Sequence, residues 1–213
     1  MYLMITSRCN MTCAHCCSSC TAKGEDMTAE TFSAAIRMAE EYGYTISIGG
    51  GEPTLHPLFW SFFGEALGAN VEYVWMATNG KITKTALALA GLAKGSERFS
   101  CALSQDRFHD PIEQRVVDAF RRANLELRDT SQNLSNTGRA KKNNLGHDDH
   151  CVCGGLSVKP NGDIKPCGCA GVPTVGNVHN GIYEKYREAL ESDEYRDCEC
   201  WRGYRAKKTR KGE

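Results

Sequence analysis

The sequence contains no apolar run long enough to span a bilayer, and no internal repeat or low-complexity tract. Its apolar start, Met1 to Ile5, continues into Thr6-Ser7-Arg8 without the basic segment or the small-residue cleavage site of an export signal. An excess of one charge is also missing, because 26 basic residues balance 26 acidic ones, and this argues against a broad surface for nucleic acid. We therefore expect a globular, cytoplasmic protein that does not enter a membrane.

Cysteine, in contrast, is abundant, with 12 residues in a chain of 213. Five of them lie between Cys9 and Cys20, six lie between Cys151 and Cys200, and Cys101 stands alone in an apolar stretch. Because a cytoplasmic protein keeps its thiols reduced, the two groups favour metal or cluster ligation over disulfides. Cys101 is expected to be a small buried hydrophobe rather than a ligand.

Strand-like and helix-like segments alternate through the first part of the chain. The strand pattern covers residues 2–6, 45–51, 71–80, 98–104 and 125–130, and the helical pattern covers residues 27–43, 56–67, 83–93 and 111–123. This repeated order predicts an α/β fold, with a parallel sheet and helices outside it. Five strands, with an unclear sixth near Leu134, are fewer than a closed eight-stranded barrel needs.

The least ordinary residues come directly after the predicted strands. They are Arg8-Cys9, Gly50-Gly51-Glu52, Thr78-Asn79-Gly80 and Ser104-Gln105-Asp106. In parallel α/β folds, ligands bind at the carboxyl ends of the strands. We therefore expect these four groups to share one face of the protein and to carry its chemistry.

The first cysteine group has a spacing that suits an iron–sulfur cluster. Cys9-x3-Cys13-x2-Cys16 supplies three thiolates from one loop, which leaves one iron of a [4Fe-4S] cluster open to another ligand. The alternative is a zinc site, which prefers four protein ligands and would need Cys17 or Cys20 as the fourth. If the triad holds a cluster, these two thiols either tune or protect it or are incidental buried groups.

The stretch CNMTCAHC at residues 9–16 resembles the CxxxCxxC signature of the radical S-adenosylmethionine (SAM) enzymes. The order of the later motifs agrees, because Gly50-Gly51-Glu52-Pro53 is similar to that family's glycine-rich motif after the second strand. The resemblance covers about residues 1–131. It implies a shortened, partial (β/α)6-type barrel whose three signature cysteines bind the cluster.

The same resemblance implies a set of SAM-binding residues. His15 holds the position that lies near the adenine, with a histidine on a surface loop as the alternative. Gly50, Gly51 and Glu52 meet the methionine amino group, and Asn79 follows the next strand.

Two further sets of polar residues follow the fourth strand. Ser104 and Arg115 resemble the pair that contacts the ribose or the carboxylate of SAM in many family members. An exposed arginine on a helix is the alternative interpretation of Arg115. Asp106, His109 and Asp110 either contact substrate or act as acid or base, or they cap the following helix.

The implied reaction begins at the open iron, where the amino and carboxylate groups of SAM chelate the metal. An electron from a reductant such as flavodoxin or ferredoxin then cleaves the bond between sulfur and C5′. The resulting 5′-deoxyadenosyl radical abstracts hydrogen from a substrate, while the protein supplies position and excludes water.

The second cysteine group is similar to the SPASM or twitch extensions, which hold auxiliary clusters. Its pattern is Cys151-x10-Gly162-x4-Cys167, with a predicted hairpin turn at residues 160–163 and a predicted helix at 181–190. Six thiols are too few to supply four separate ligands to each of two clusters. One auxiliary [4Fe-4S] cluster is therefore expected, with structural zinc as the alternative. The candidate ligands are Cys151, Cys153, Cys167, Cys169, Cys198 and Cys200.

These patterns predict a radical SAM core at residues 1–145 and an auxiliary extension with a basic tail at 146–213. The polar stretch at 135–150 is expected to connect them. The expected substrate is a peptide or protein, because SPASM and twitch extensions often accompany peptide modification. A small molecule or nucleotide is the alternative substrate, and a non-catalytic zinc or iron–sulfur scaffold is the alternative function.

Overall fold

The computed structural model describes residues 1–131, 134–146, 156–166 and 174–181, and these contain eight strands and five helices. The strands are β1 (Tyr2–Thr6), β2 (Ile46–Gly50), β3 (Val74–Thr78), β4 (Phe99–Ser104), β5 (Leu127–Arg128), β6 (Ser157–Val158), β7 (Asp163–Lys165) and β8 (Gly176–Asn177). The helices are α1 (Ala29–Glu41), α2 (Phe59–Gly68), α3 (Thr83–Ala93), α4 (Gln114–Arg122) and α5 (Gly138–Lys142), and a 3₁₀ turn covers Pro53–Leu55.

All eight strands belong to one open sheet, in the order β5-β4-β3-β2-β1-β6-β7-β8. Strands β1 to β5 are parallel neighbours, because a helix after each of the first four returns the chain to the same edge. The fold is therefore α/β with a partial parallel sheet, as predicted. Every strand and helix predicted before residue 131 is present, with ends displaced by no more than three residues. Within the described residues, no helix has the length and apolarity that crossing a membrane requires.

Large apolar side chains pack between one face of the sheet and the helices. Leu3 and Ile5 of β1 are fully buried, and Phe32 of α1 stacks on Phe62 of α2 with ring centroids 4.1 Å apart. Cys101 of β4 is also fully buried in this core, and burial raises the pKa of its thiol to about 12. The prediction that Cys101 is a buried hydrophobe is confirmed.

The other face of the sheet carries small residues near its carboxyl edge. Gly49, Ala77 and Ser104 line a cavity of about 210 Å³ together with larger residues from neighbouring strands. A Cβ atom on Gly49 would lie 2.3 Å from the ring of Tyr2, so the ring packs directly over this glycine and a side chain there would displace it. The cavity therefore exists because the strands place glycine, alanine and serine where core strands usually place bulky residues.

The hairpin predicted after the second cysteine group begins is present. Strands β6 and β7 pair antiparallel, with Val158 opposite Ile164, and Gly162 in the turn has a φ of +83°, a conformation that favours glycine. Strand β6 also pairs in parallel with β1, and both Val158 and Ile164 are fully buried. The hairpin thus continues the main sheet on the side away from β5.

The segment at residues 134–146 differs from the two expectations for it. Leu134 is buried, but residues 134–146 contain the short helix α5 and no named strand, so the unclear sixth strand is not found there. The same segment was expected to be a polar connection, whereas α5 contacts the first cysteine group. Except for Gly181, the helix predicted at residues 181–190 lies outside the described residues.

Candidate functional site

The first three cysteines lie on a loop between β1 and α1. The backbone N–H of Cys9 donates to the carbonyl of Thr21 at 2.7 Å, so the start and the end of the loop are tied together. The loop turns where the N–H of Cys16 donates to the carbonyl of Cys13 at 3.2 Å. All three cysteines line the cavity at the carboxyl edge of the sheet.

The ionisation of these thiols depends on burial and on a neighbouring thiol. Burial raises the pKa of Cys13 to about 11 and also raises the pKa of Cys9. The Cys16 thiol differs, because its interaction with the neighbouring thiol of Cys20 lowers its pKa. A metal bound to these three thiols would hold them as thiolates, the form in which cysteine acts as a ligand.

Helix α5 holds the cysteine loop from outside. Arg139 donates from Nε to the carbonyl of Cys13 at 2.9 Å and from a terminal guanidinium nitrogen to the carbonyl of Cys20 at 2.7 Å. Its backbone N–H donates to the carbonyl of Cys16 at 2.9 Å. One residue therefore satisfies three carbonyl groups of the loop and places a positive charge beside its thiols.

The glycine-rich motif passes directly over the beginning of the cysteine loop. A Cβ atom on Gly50 would lie 2.2 Å from the carbonyl oxygen of Thr6, and one on Gly51 would lie 2.2 Å from the carbonyl oxygen of Arg8. No side chain fits at either position unless the backbone moves. The two predicted motifs are therefore in backbone contact, as a shared site requires.

Glu52 holds the ends of two strands together. Its buried carboxylate accepts hydrogen bonds from the hydroxyl of Thr54 at 2.6 Å, the hydroxyl of Thr78 at 2.8 Å and the backbone N–H of Asn79 at 2.7 Å. Burial raises the pKa of this carboxyl, while the N–H of Asn79 and the two hydroxyls favour the charged form. Glu52 lines the cavity, but its carboxylate already accepts hydrogen bonds from several protein groups.

Two more of the predicted SAM-binding residues lie at the cavity. The side-chain amide of Asn79 donates to the side-chain carbonyl of Asn10 at 2.8 Å, and its nitrogen lies 3.9 Å from the sulfur of Cys9. Ser104, the last residue of β4, lines the same cavity. Both positions follow from their place at the end of a parallel strand.

His15 is inside the protein and not on an exposed loop. Only 7% of its surface is exposed, and its ring stacks on Phe108 with centroids 4.8 Å apart. Its Nε2 lies 3.3 Å from one carboxylate oxygen of Asp106, and the Nδ1 of His109 lies 2.8 Å from the other. Asp106 therefore orients two imidazoles that line the cavity, and it does not cap α4.

Two predicted site residues lie elsewhere. Arg115 forms an exposed ion pair with Glu113 at 2.6 Å and is not among the residues that line the cavity, so its contact with SAM stays a prediction. Asp110 forms an ion pair with Lys81 at a partly exposed position.

Among the residues of the cavity wall that were not predicted as functional, four carry large aromatic or charged side chains, namely Tyr2, Trp75, Arg128 and Arg139. Trp75 carries a weak sequence signal, as a large aromatic residue three positions before Thr78-Asn79-Gly80, whereas Arg128 lies between other charged residues, Glu126 and Asp129, and carries none. The sequence gives no signal for Arg139, because its hydrogen-bond partners lie more than a hundred positions earlier in the chain. The six cysteines from Cys151 to Cys200 lie outside the described residues, and so does the predicted auxiliary site.

An open parallel sheet with three thiols and a glycine-rich turn at its carboxyl edge defines a class of metal-dependent α/β enzymes. A family model described as the radical SAM superfamily matches residues 3–126, which is more than half of the chain. The chain belongs to the radical SAM superfamily, and this membership implies a [4Fe-4S] cluster with SAM.

Solved structures share this fold at low sequence identity. One is BtrN in complex with AdoMet and 2-DOIA, with 19% identity, a TM-score of 0.63 and coverage of 91% of this chain and 82% of that chain. Another is anSMEcpe with bound AdoMet and Cp18Cys peptide, with 15% identity, a TM-score of 0.57 and coverage of 91% and 80%. A comparison with curated protein sequences finds no match.

Proposed function

We propose that the chain cleaves SAM reductively to a 5′-deoxyadenosyl radical, which abstracts hydrogen from a substrate. The observation that carries this proposal is the convergence of the three signature cysteines with Gly50 and Gly51 at one cavity. When bound there, a [4Fe-4S] cluster supplies an open iron for SAM and the electron that cleaves it. The electron itself comes from a reductant such as flavodoxin or ferredoxin.

The donor set fits such a cluster. Cys9, Cys13 and Cys16 are soft thiol donors on one side of the cavity, and Arg139 supplies positive charge that favours their thiolate forms. Cys17 is not among the residues that line the cavity, and its sulfur lies 3.8 Å from the carbonyl of His15.

The residues around the thiols would bind and orient SAM. Gly50 and Gly51 border the cavity, so their backbone groups are available to a ligand bound there. The ring of His15 offers a flat surface for the adenine, held in place by Asp106. Glu52 fixes the glycine turn against β3, so the turn is preorganised before any ligand binds.

The direct test is the formation of 5′-deoxyadenosine by anaerobically reconstituted, dithionite-reduced protein. The parent protein is expected to form it from SAM, and a variant with Cys9, Cys13 and Cys16 replaced by alanine is expected to form none. A Cys101→Ala variant is the matched control, because its thiol lies in the core and not at the cavity. Bound zinc with no 5′-deoxyadenosine from the parent would instead support the scaffold hypothesis.

We also propose an auxiliary [4Fe-4S] cluster held by cysteines among the six from Cys151 to Cys200, in a SPASM or twitch-like extension at residues 146–213 that follows the core at 1–145. The support is their Cys-x-Cys pairing and the hairpin at residues 156–166 that separates two of the pairs. In the variant that lacks the first three cysteines, about four irons per chain are expected to remain. Zinc in their place would establish the structural alternative.

The substrate class that we propose is a peptide or protein, supported by the resemblance of the second cysteine group to the SPASM and twitch extensions. The solved structure with a bound peptide and the one with bound 2-DOIA share the fold to a similar degree, so the small-molecule alternative is tested alongside. Pools of peptides, nucleotides and small polyols at equal concentration are added to the 5′-deoxyadenosine assay. The peptide pool is expected to raise the rate above that without substrate, and a response to another pool alone would refute this substrate class.

A further inference from the structure

We propose that Arg128 binds an anionic oxygen group of the substrate, either a carboxylate or a phosphate, on the inner face of the sheet. This inference rests on the proposed function and adds a chemical requirement on the molecule from which hydrogen is taken. Three observations support it. They are the position of the Arg128 guanidinium, the absence of an ion-pair or hydrogen-bond partner for it among the residues that the structure describes, and the residues that surround it.

Arg128 ends β5, but its side chain turns back from the carboxyl edge of the sheet. Its backbone position pairs with Ser104, whereas its guanidinium carbon lies 5.6 Å from the centre of the ring of Trp75. Trp75 pairs with Ser100, four residues before Ser104, which corresponds to roughly 13 Å along the strand. The charge therefore lies toward the interior of the cavity and away from the edge that carries the cysteine loop.

The charge of Arg128 has no counter-ion among the residues that the structure describes. No carboxylate there lies within 4.0 Å of its guanidinium, which also makes no hydrogen bond to them. The other cavity arginine, Arg139, donates to two carbonyl groups, and the cavity carboxylate of Glu52 already accepts several hydrogen bonds. Arg128 is thus a half-buried cation with unused donors in the wall of a cavity.

The surroundings of Arg128 favour an oxyanion over other ligands. The ring of Trp75 supports one face of the guanidinium, so the N–H groups at its edge stay available for two parallel hydrogen bonds to a carboxylate or phosphate. Tyr2 also lines the cavity, and its phenolic hydroxyl is a further hydrogen-bond donor. Arginine is the residue best matched to such a planar, two-point contact.

SAM also carries a carboxylate, and the position of Arg128 argues that this group binds elsewhere. The residues that resemble SAM contacts, Gly50, Gly51, Asn79 and Ser104, end or follow strands at the carboxyl edge. The guanidinium lies back from that edge, along the inner face of the sheet, and is therefore left for a second molecule that binds beside SAM. The experiment therefore measures the affinity for SAM and for anions separately.

The test is calorimetric titration of the full-length, reconstituted and SAM-loaded protein without oxygen, with inorganic phosphate as one probe and glutarate as the other. Arg128→Gln removes the charge, and Arg128→Lys keeps it without the planar pair of donors. Arg121→Gln is the matched control, because Arg121 is an exposed arginine on α4. The KM for SAM is measured for each protein from 5′-deoxyadenosine formation.

We expect the parent to bind one of the probes and Arg128→Gln to bind it at least about tenfold more weakly. Arg128→Lys should be intermediate, the control should equal the parent, and the KM for SAM should change by less than about twofold. The tighter probe identifies the anion as phosphate or carboxylate. No anion binding, or equal binding by parent and Arg128→Gln, would overturn the proposal.

A rise in the KM for SAM with unchanged anion binding would also overturn it and would assign Arg128 to the carboxylate of SAM. Failure of the proposed function looks different, because the parent would then form no 5′-deoxyadenosine whatever its affinity for the anions.

Discussion

Asp106 shows how a single buried carboxylate organises one wall of the cavity. Its side chain is fully buried, and it accepts a hydrogen bond from the N–H of Phe108 at 2.9 Å while its oxygens contact the rings of His15 and His109. Burial opposes its ionisation, but the N–H of Phe108 and the ring of His109 hold its pKa below the usual value. The charged carboxylate is therefore the form that orients both imidazoles at neutral pH.

Replacement of Asp106 by asparagine is expected to cost about 1.5–3 kcal/mol at pH 7, since charged hydrogen bonds in a buried site are lost. The measurement is denaturant-induced unfolding under anaerobic conditions. Because the folded pKa of Asp106 is depressed, its contribution is present above the ordinary pKa of aspartate and is lost as pH falls through the folded value. The difference between parent and variant should therefore narrow in acid.

Asp118→Asn is the control for this change, because Asp118 lies at a partly exposed position on α4, where its contacts are an exposed hydrogen bond from Gln114 at 2.9 Å and Arg121 at 3.9 Å. Its effect is expected to stay within about 0.5 kcal/mol at every pH. An Asp106→Asn variant as stable as the control would contradict the role assigned to Asp106.

Arg139 gives a second test at the scale of the residue, because it bonds to three carbonyl groups of the cysteine loop. Arg139→Gln is expected to lose at least half of its bound iron on gel filtration after reconstitution, while Arg139→Lys loses less. The loss of the positive charge should also lower the reduction potential of the cluster, measured by redox titration. Lys141→Gln, an exposed change on the same helix, should equal the parent in both measurements.

At the scale of the element, the turn after β2 depends on the absence of side chains. Gly51→Ala is expected to destabilise the protein by more than about 2 kcal/mol, because its Cβ would overlap the carbonyl oxygen of Arg8 at 2.2 Å and separate the two motifs. Gly64→Ala on α2 is the control, since a Cβ there meets nothing within 4 Å, and it should gain up to about 1 kcal/mol. Unfolding curves that rank the two variants in the opposite order would refute this account of the turn.

The elements also show why part of the structure was predictable from sequence. The β/α periodicity is a local property, so strands β1 to β5 and helices α1 to α4 follow from it, and the residues after each strand fall at the cavity. The contacts of α5 with the cysteine loop are not predictable in this way, because a short polar helix with one glycine and two lysines resembles a linker until its distant partners are known. The proposed function of Arg128 is likewise not predictable from sequence, because it depends on the direction of the side chain, which lies over the ring of Trp75, and not on neighbouring residues in the chain.

At the scale of the whole molecule, one sheet runs from β5 through β1, the strand that precedes the cysteine loop, to the hairpin of β6 and β7. The sequence predicts this hairpin but not its pairing with β1, because β1 and β6 are segments about 155 residues apart in the chain. The described part of the later segment is therefore anchored next to the strand that leads into the cysteine loop.

If the hairpin is part of the main sheet, Ile164→Ala should destabilise the entire protein by about 2–5 kcal/mol in a single transition, because Ile164 is fully buried against the same core. The measurement is denaturant unfolding followed both by circular dichroism and by absorbance of the cluster. Leu92→Ala is the control, as Leu92 is 50% exposed on α3, and it should cost less than about 1 kcal/mol. A separate early transition in Ile164→Ala would show instead that the hairpin is an independent unit.

The central claim is that Cys9, Cys13 and Cys16 hold a cluster whose open iron binds SAM. It is tested most directly by electron paramagnetic resonance of the dithionite-reduced protein before and after addition of SAM. We expect a [4Fe-4S]⁺ signal in the parent that changes when SAM is added, and no SAM-dependent change in the variant that lacks these three cysteines. A reduced-cluster signal in the parent that is indifferent to SAM would contradict it.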